Sequence, residues 1–190
     1  AQSLIETIET KCANELNRAF NASFPGGDGV SLSNATHPII GGSFSNLLTT
    51  AAALSQTSLE QILIQVRSAV DNNGKKIRLQ PKKLVIAPSN LFQAEVLLKS
   101  VLRAGTNNND INPVKSMSLI EDTAVLSRLT SPTAWWVTTN APEGLKFLWR
   151  RKLTKGMEGD FETDSMRYKA TLRGESGWTD PRCSWGTPGA

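Results

Sequence analysis

His37 is the only histidine of the chain, so any histidine-dependent catalysis must use it. Several serines lie near it in sequence, but none stands in the G-x-S-x-G pattern that presents a serine nucleophile. A pair with Cys12 or Cys183 is not decided by spacing, because a cysteine and its base meet only in the fold. We expect His37 to hydrogen-bond the loop that leaves the first helix. A small hydrolase that uses His37 with a serine or cysteine stays as an alternative.

Two segments have the composition of ligand-binding loops without the full patterns. The Gly-rich piece 26–38 lacks both the GxxxxGK[ST] of a phosphate loop and the helix-opening GxGxxG of a dinucleotide site. Residues 71–74 (DNNG) resemble part of a calcium loop, but the bidentate glutamate at its twelfth position is missing. The spacing of Cys12 and Cys183 matches no metal-binding pattern. We therefore expect no catalytic residue, no cofactor and no metal site.

The composition is typical of a globular protein, with 39% hydrophobic and 20% charged residues among 190. No apolar run approaches the roughly 20 residues of a membrane-spanning helix. The first residues do not show the basic region, apolar core and cleavage site of a signal peptide. Two cysteines cannot form a disulfide framework, so we expect both to be reduced, as in the cytoplasm. Because the chain begins at Ala1 almost directly in a helix, we expect a processed product or part of a longer protein.

The net charge of +4 is unevenly distributed. Acidic residues are scarce between positions 75 and 115, and further on a basic cluster directly precedes an acidic set. The basic patch of the first region consists of Lys75, Lys76, Lys82, Lys83, Lys99 and Arg103. The later sets are Arg150, Arg151 and Lys152, followed by Glu158, Asp160, Glu162 and Asp164. Such patches favour contact with nucleic acid or with an oppositely charged neighbour, although solvated surfaces produce the same pattern.

Apolar residues at spacings of three and four predict three helices. The first spans residues 5–20, with Ser3 and Glu6 forming a capping box. The second spans residues 58–70 and is capped by Ser58 or Thr57, and the third runs from residue 89 or 90 to Arg103. The predicted buried face of the first helix is Ile5, Ile8, Cys12, Leu16 and Ala19 or Phe20. That of the third is Phe92, Val96, Leu97, Val101 and Leu102.

Short apolar or alternating runs predict strands at residues 82–87, 118–120, 133–139 and 147–153, the first of them buried and central. The longest alternating run covers residues 160–178. Met166, Tyr168, Ala170 and Leu172 lie on one of its faces, opposite Arg167, Lys169, Thr171 and Arg173. We expect the first helix to cover the apolar face. All five tryptophans lie in the last third of the chain, where they either anchor a core or subunit interface or stack nucleobases.

Several of these segments, in this order, resemble the major capsid proteins of tailed bacteriophages. The segments are NRAFNASF at 17–24, GGDGVSL at 26–32, ATHP at 35–38, PKKLVIAPSNLFQAEVLLKSVL at 81–102, GTNNNDINPV at 105–114, TAWWV at 133–137 and DFETDSMRYKATLRGESGWTDPR at 160–182. The resemblance runs through nearly the whole chain and includes the Mu-like head subunits, which have the HK97 fold.

The resemblance implies an α+β fold in which a spine helix packs on long antiparallel strands, forming a peripheral domain. An α/β axial domain is inserted between these elements. Residues 1–45 would hold the spine helix and the following loop, residues 46–157 the axial domain, residues 158–180 the long peripheral strand, and residues 181–190 a C-terminal return segment. The given sequence shows no counterpart of the family's N-terminal arm and extended loop before the predicted spine helix, so the resemblance assigns no cross-linking residue.

The function implied by the resemblance is structural, without enzymatic activity. Copies would associate into pentamers and hexamers and close into an icosahedral shell around double-stranded DNA, in the virion and after assembly in the bacterial host cytoplasm. Scaffold, portal and decoration proteins would be further partners, and no membrane would be involved. The expected intersubunit contacts are the later charged sets together with Arg167 and Lys169, and the basic patch would face DNA or a neighbouring subunit. An encapsulin-like compartment and a soluble basic nucleic-acid-binding module stay as alternatives.

Overall fold

The computed structural model describes residues 2–103, 110–160, 162 and 164–190, apart from the side chain of Asp160. Its helices are α1 (Gln2–Asn17), α2 (Gln56–Arg67), α3 (Leu91–Lys99) and the short α4 (Pro113–Ser116). Its strands are β1 (His37–Ile39), β2 (Gly42–Phe44), β3 (Pro81–Ile86), β4 (Asp122–Val125), β5 (Trp135–Thr139), β6 (Leu145–Asp160), β7 (Ser165–Trp178) and β8 (Ser184–Thr187). The described part is therefore mixed α+β, as predicted.

A four-stranded mixed sheet lies at the centre, in the order β4-β3-β5-β8. β3 pairs in parallel with β4, while β5 is antiparallel to both β3 and β8. β3 is the central strand predicted at 82–87, and Leu84 and Ile86 are fully buried. The C-terminal segment 181–190 supplies β8, so the end of the chain completes this sheet.

Helices cover both faces of the sheet, which explains why β3 and β5 are apolar at successive positions. On one face, Leu84, Ile86 and Trp135 pack in one core with α2 and α3. On the other face, Val85 and Trp136 pack with the end of α1. The tryptophans of β5 are thus core residues, as predicted for large aromatics in strands.

The second helix forms as its sequence predicts, but it starts earlier. Ser55 is the N-cap and forms a capping box with Ser58, which lies in the first turn and is not itself the cap. Each serine hydroxyl accepts a bond from a backbone amide that the helix leaves unpaired. The buried residues Leu59, Ile62, Leu63 and Val66 have the spacings of three and four from which this helix is predicted.

The first helix starts earlier and buries less than predicted. Ser3 lies inside α1, where its carbonyl accepts a bond from Thr7 Oγ1, so it is not the N-cap. Ile5 and Cys12 of the predicted apolar stripe are exposed, and burial within α1 begins at Ala13. The reason is geometric, because only the C-terminal half of α1 reaches the central sheet. The stripe before it is left on the surface.

The third helix is shorter than predicted, and most of the residues predicted to face the core are exposed. α3 ends at Lys99 because Ser100 takes an extended conformation, and Asn112 Nδ2 donates to the carbonyls of Leu97 (2.7 Å) and Ser100 (3.1 Å). Only Ala94 and Leu97 are buried. Four of the five residues predicted to be inward are exposed: Phe92, Val96, Val101 and Leu102. The sequence does contain an apolar stripe, but most of its side chains point away from the core.

The long run at 160–178 contains the turn of a hairpin as well as a strand. β6 ends at Asp160 and β7 begins at Ser165, and the two strands pair from Leu145–Trp178 to Asp160–Ser165. The partner of the predicted strand is therefore β6, which is also far longer than the predicted 147–153. At roughly 3.3 Å per residue, its 16 residues span about 50 Å. We call this hairpin, residues 145–178, the arm.

Two further predictions concern a strand at residues 118–120 and the boundary between domains. Residues 118–120 are not a strand, and β4 begins at Asp122 after Leu119 and Ile120 have packed against the core. The expected domain boundary between residues 157 and 158 falls within β6, and the division into domains stays a prediction. In the residues described, none of the helices has the length and apolar content needed to cross a membrane.

Candidate assembly surfaces

His37 lies at the centre of a buried hydrogen-bond cluster. Its side chain is fully buried, with Nδ1 2.6 Å from Asp28 Oδ2 and Nε2 3.2 Å from Asn46 Oδ1, and its ring stacks on Phe44. Asp28 belongs to the loop after α1, so the predicted role of His37 is confirmed. A carboxylate beside Nδ1 would suit a catalytic base, but Nε2 faces the amide oxygen of Asn46 and not a serine or cysteine nucleophile.

Asn46 is the part of this cluster that sequence reasoning missed. It is fully buried, and its Nδ2 lies within bonding distance of the carbonyls of Leu32 (2.6 Å), Pro181 (3.1 Å) and Ser184 (3.0 Å). Its Oδ1 accepts from the amide of Asn34 at 2.8 Å. One side chain thus joins the loop after α1 to the C-terminal segment. An asparagine in a polar loop carries no sequence signal for this role, because the same residue is common in turns.

All nine residues predicted to contact neighbouring subunits lie on the arm. Arg150, Arg151 and Lys152 are exposed where the pairing of β6 and β7 shifts register. The acidic set lies at the tip, about 25 Å further along the ribbon. The described acidic side chains, Glu158, Glu162 and Asp164, are exposed, as are Arg167 and Lys169 on β7. The side chain of Asp160 lies outside the described residues.

Charges of the arm also face one another within the hairpin. Glu158 lies directly opposite Arg167, whereas Arg151 lies opposite Arg173. Opposite charges in this position stabilise a strand pair and like charges destabilise it. At the tip, the acidic Glu158 is thus balanced by Arg167, whereas Arg173 of β7 adds a fourth cation to the three of the basic cluster. Contact of these charged residues with other subunits stays a prediction.

The outer half of the arm has one apolar face that α1 does not cover. Met157 pairs with Tyr168, and Gly159 with Met166, so these side chains share a face. Tyr168 is 76% exposed, and both methionines are also exposed. α1 reaches only the base of β7, where Ser176 Oγ donates to Lys11 O and lies 3.0 Å from Glu15 Oε1. The expectation that the helix covers the whole apolar face is wrong.

The basic patch is dispersed over several elements, and acidic side chains lie beside three of its lysines. Lys83 pairs with Asp122 at 3.0 Å, Lys82 lies 4.0 Å from Glu121, and Lys99 pairs with Glu95. The hydrogen bond from Lys83 holds the pKa of Asp122 below its usual value. Lys75 and Lys76 follow the turn after α2, and Arg103 follows α3. A DNA-facing role for the patch stays a prediction.

The family of the chain follows from comparison with known proteins. A family model described as phage capsid protein matches residues 1–185. The chain belongs to this family. No curated protein matches the sequence at a significant level.

Two solved structures resemble the fold. One is a phage-related protein from Bordetella bronchiseptica RB50, with a TM-score of 0.52 and 11% identity over 98% of this chain and 62% of that one. The other is a virus-like particle from Pyrococcus furiosus, with a TM-score of 0.43 and 11% identity over 74% of this chain and 55% of that one. The chain thus spans less than two thirds of the length of either structure.

An open apolar groove of about 670 Å³ lies between α1, β4 and the base of the arm. Ile8 and Cys12 of α1 line it together with Val125, Leu126 and Phe147. The exposed part of the α1 stripe therefore forms one wall of an open apolar groove.

The two thiols should differ sharply in reactivity. Burial raises the pKa of Cys183 to about 12, whereas Cys12 is exposed, and its pKa is raised by partial burial and by Glu15. Since the thiolate is the reactive form, we expect a thiol reagent at pH 8 to label one cysteine per unassembled chain, faster as the pH rises. Denaturation should make Cys183 accessible to the reagent as well. A Cys12→Ser variant should show no native labelling, and two fast thiols in the native protein would contradict the burial of Cys183.

Proposed function

We propose that the chain is the major capsid subunit of a tailed bacteriophage with the HK97 fold. Copies assemble into pentamers and hexamers that close as an icosahedral shell around double-stranded DNA. The observation that carries the proposal is the match to the phage capsid family over residues 1–185. The arrangement of α1 against the base of the arm and the central sheet supports it, because the family places a spine helix and long strands together in this way.

The exposed arm is a second support. An isolated two-stranded ribbon is at best marginally stable in water, and this one carries exposed apolar residues on its outer half. Within a shell, neighbouring copies would bury such a surface and stabilise the ribbon. In this proposal α1 would serve as the spine helix and the arm as the peripheral sheet. The four-stranded sheet with α2 and α3 would serve as the axial domain.

Charge on the arm would guide subunits into register. The basic cluster at Arg150–Lys152 and the acidic tip are separated along one ribbon, so the tip of one copy can approach the basic cluster of another. Complementary charge of this kind raises association rates and specificity more than affinity. The basic patch would face packaged DNA or a neighbouring subunit. Scaffold, portal and decoration proteins would be further partners, with assembly in the host cytoplasm and the virion as the final location.

Electron microscopy of the purified full chain tests the structural class. We expect uniform closed shells tens of nanometres across, with pentameric and hexameric units, in negatively stained samples. A protein that stays monomeric or dimeric over the whole accessible concentration range would contradict the proposal. DNA binding by such a small species, with a steep dependence on salt, would instead support a soluble nucleic-acid-binding module.

The content of the shells separates a virus from an encapsulin-like compartment. Particles isolated from the producing cells should contain double-stranded DNA that resists added nuclease until the shell is opened. Shells that enclose a folded enzyme and no genome would overturn the viral assignment while leaving assembly intact.

A further inference from the structure

The outward side of α3 is apolar where a surface helix is normally polar. Phe92 is 82% exposed, and Val96, one turn later, is also exposed. Residues four apart lie on the same side of a helix, so the two form one ridge. The inward side of α3 is already occupied, because Ala94 and Leu97 pack in the core. A helix over a sheet usually places polar residues outward, so this ridge indicates a second contact.

An apolar hollow lies in the same layer of the molecule, between α2 and α4. It measures about 580 Å³, and its apolar walls are Leu63, Ile64, Val114, Met117 and Leu119. Ile64 and Met117 are 65% and 66% exposed. The inner side of the hollow is fixed, because Leu63 and Val114 belong to the core. The hollow is therefore a preformed surface that can receive an apolar side chain.

We propose that the α3 ridge of one copy inserts into the α2–α4 hollow of the next copy. The ridge consists of Phe92 and Val96, and the hollow centres on Ile64 and Met117. This inference rests on the proposed function, since it identifies the surfaces that join neighbouring subunits within a ring.

Charged residues beside the two surfaces are complementary. Glu95 and Lys99 flank the ridge, and Glu60 and Arg67 line the hollow. When α3 crosses α2 of the next copy in the opposite direction, Glu95 approaches Arg67 and Lys99 approaches Glu60. The parallel direction would place like charges together. The charges therefore select one orientation, while the apolar ridge supplies most of the buried area.

The use of two different surfaces has a consequence for symmetry. A contact that joins a surface to itself ends at a dimer, whereas a contact between two different surfaces continues from copy to copy until a ring closes. The ridge and the hollow are different surfaces of one chain, so each copy offers one of each to its neighbours. This is the type of contact that a pentamer or hexamer requires.

Substitution with arginine tests the energetic role of both surfaces. We expect Phe92→Arg and Ile64→Arg each to raise the concentration needed for assembly by at least about tenfold, because a charge then faces an apolar surface. Gln93→Arg is the matched control, since it adds the same charge to an exposed position of α3 beside the ridge. Its assembly should stay near that of the unchanged protein. Circular dichroism and thermal unfolding of each variant check that the subunit still folds.

Cross-linking between two different chains tests the contact directly. Both chains carry Cys12→Ser, one also carries Phe92→Cys, and the other carries Ile64→Cys and a tag. A mixture under mild oxidation should give a disulfide-linked dimer that contains both chains, because only the proposed contact brings these positions close enough to bond. Each chain alone should give none. A linked dimer from the Phe92→Cys chain alone would instead show a symmetric α3–α3 contact and overturn the proposal.

The outcomes also separate this inference from the proposed function. Shells of the unchanged protein together with normal assembly of Phe92→Arg and Ile64→Arg would reject the ridge-and-hollow contact and leave the capsid function standing. A chain that forms neither shells nor cross-linked pairs would reject both.

Discussion

Replacement of Asn46 by leucine should lower the free energy of unfolding by about 3 kcal/mol or more. Leucine keeps the branching of asparagine at Cγ, but its methyl groups are larger than the amide atoms and cannot donate to the carbonyls of Leu32, Pro181 and Ser184, all within 3.1 Å of Asn46 Nδ2. Each buried polar group left without a partner costs about 1–3 kcal/mol, and the amide of Asn34 also loses its acceptor. Chemical denaturation of unassembled subunits, followed by tryptophan fluorescence, measures the loss. Trp135, Trp136 and Trp185 are buried and report on the core.

The matched control is Asn21→Ala. Asn21 is exposed, and its Oδ1 accepts one bond from the amide of Ser23 at 2.9 Å. Removal of this local bond should change the unfolding free energy by less than about 1 kcal/mol. If Asn46→Leu unfolded like the control, the bonds between the loop after α1 and the C-terminal segment would contribute little. Asn46 would then stabilise the fold through its packing and not through its hydrogen bonds.

The elements best predicted from the sequence are those whose environment is set locally. α2 shows a continuous apolar face because its inward side packs against one sheet face, although its N-cap is Ser55 and not the predicted Ser58 or Thr57. β3 is apolar on both sides because helices cover both faces of the sheet. In each case the period and composition of a short segment contain the whole signal. The α+β fold class is predicted from the order of the segments that resemble phage capsid proteins.

The errors arise where the pattern does not identify which partner covers an apolar face. The stripe on α3 has helical spacing whether it faces the core or another molecule, so Phe92 and Val96 read as core residues. The alternation at 160–178 likewise continues through the end of β6 and the start of β7 and conceals the turn between them. Ile5 and Cys12 on α1 also have helical spacing, and they too are predicted to be buried although they are exposed. A subunit interface and a core are alike in sequence, and only the exposed face in the folded chain separates them.

Charge reversal at the basic cluster of the arm should abolish assembly without unfolding the subunit. Arg150 and Arg151 are exposed, and Arg151 lies opposite Arg173 in the register of the hairpin. Glutamate at position 151 replaces this like-charge pair with an attractive one, so the arm itself should be as stable as before or slightly more stable. Any loss of assembly in Arg150→Glu/Arg151→Glu would therefore come from contacts between copies. There, two reversed charges would repel the acidic tip of a neighbour.

Light scattering and electron microscopy of the double variant measure this effect, and thermal unfolding checks the fold. The matched control is Arg18→Glu/Arg78→Glu, which makes the same change in net charge at exposed positions outside the arm, the basic patch, the ridge and the hollow. If total charge governed assembly, both variants would fail equally. If the arm guides subunits into register, only the first should fail, and the assembly rate of the unchanged protein should fall as salt screens the attraction. Normal shells from the arm variant would remove the basic cluster from the mechanism and leave apolar contacts as the source of register.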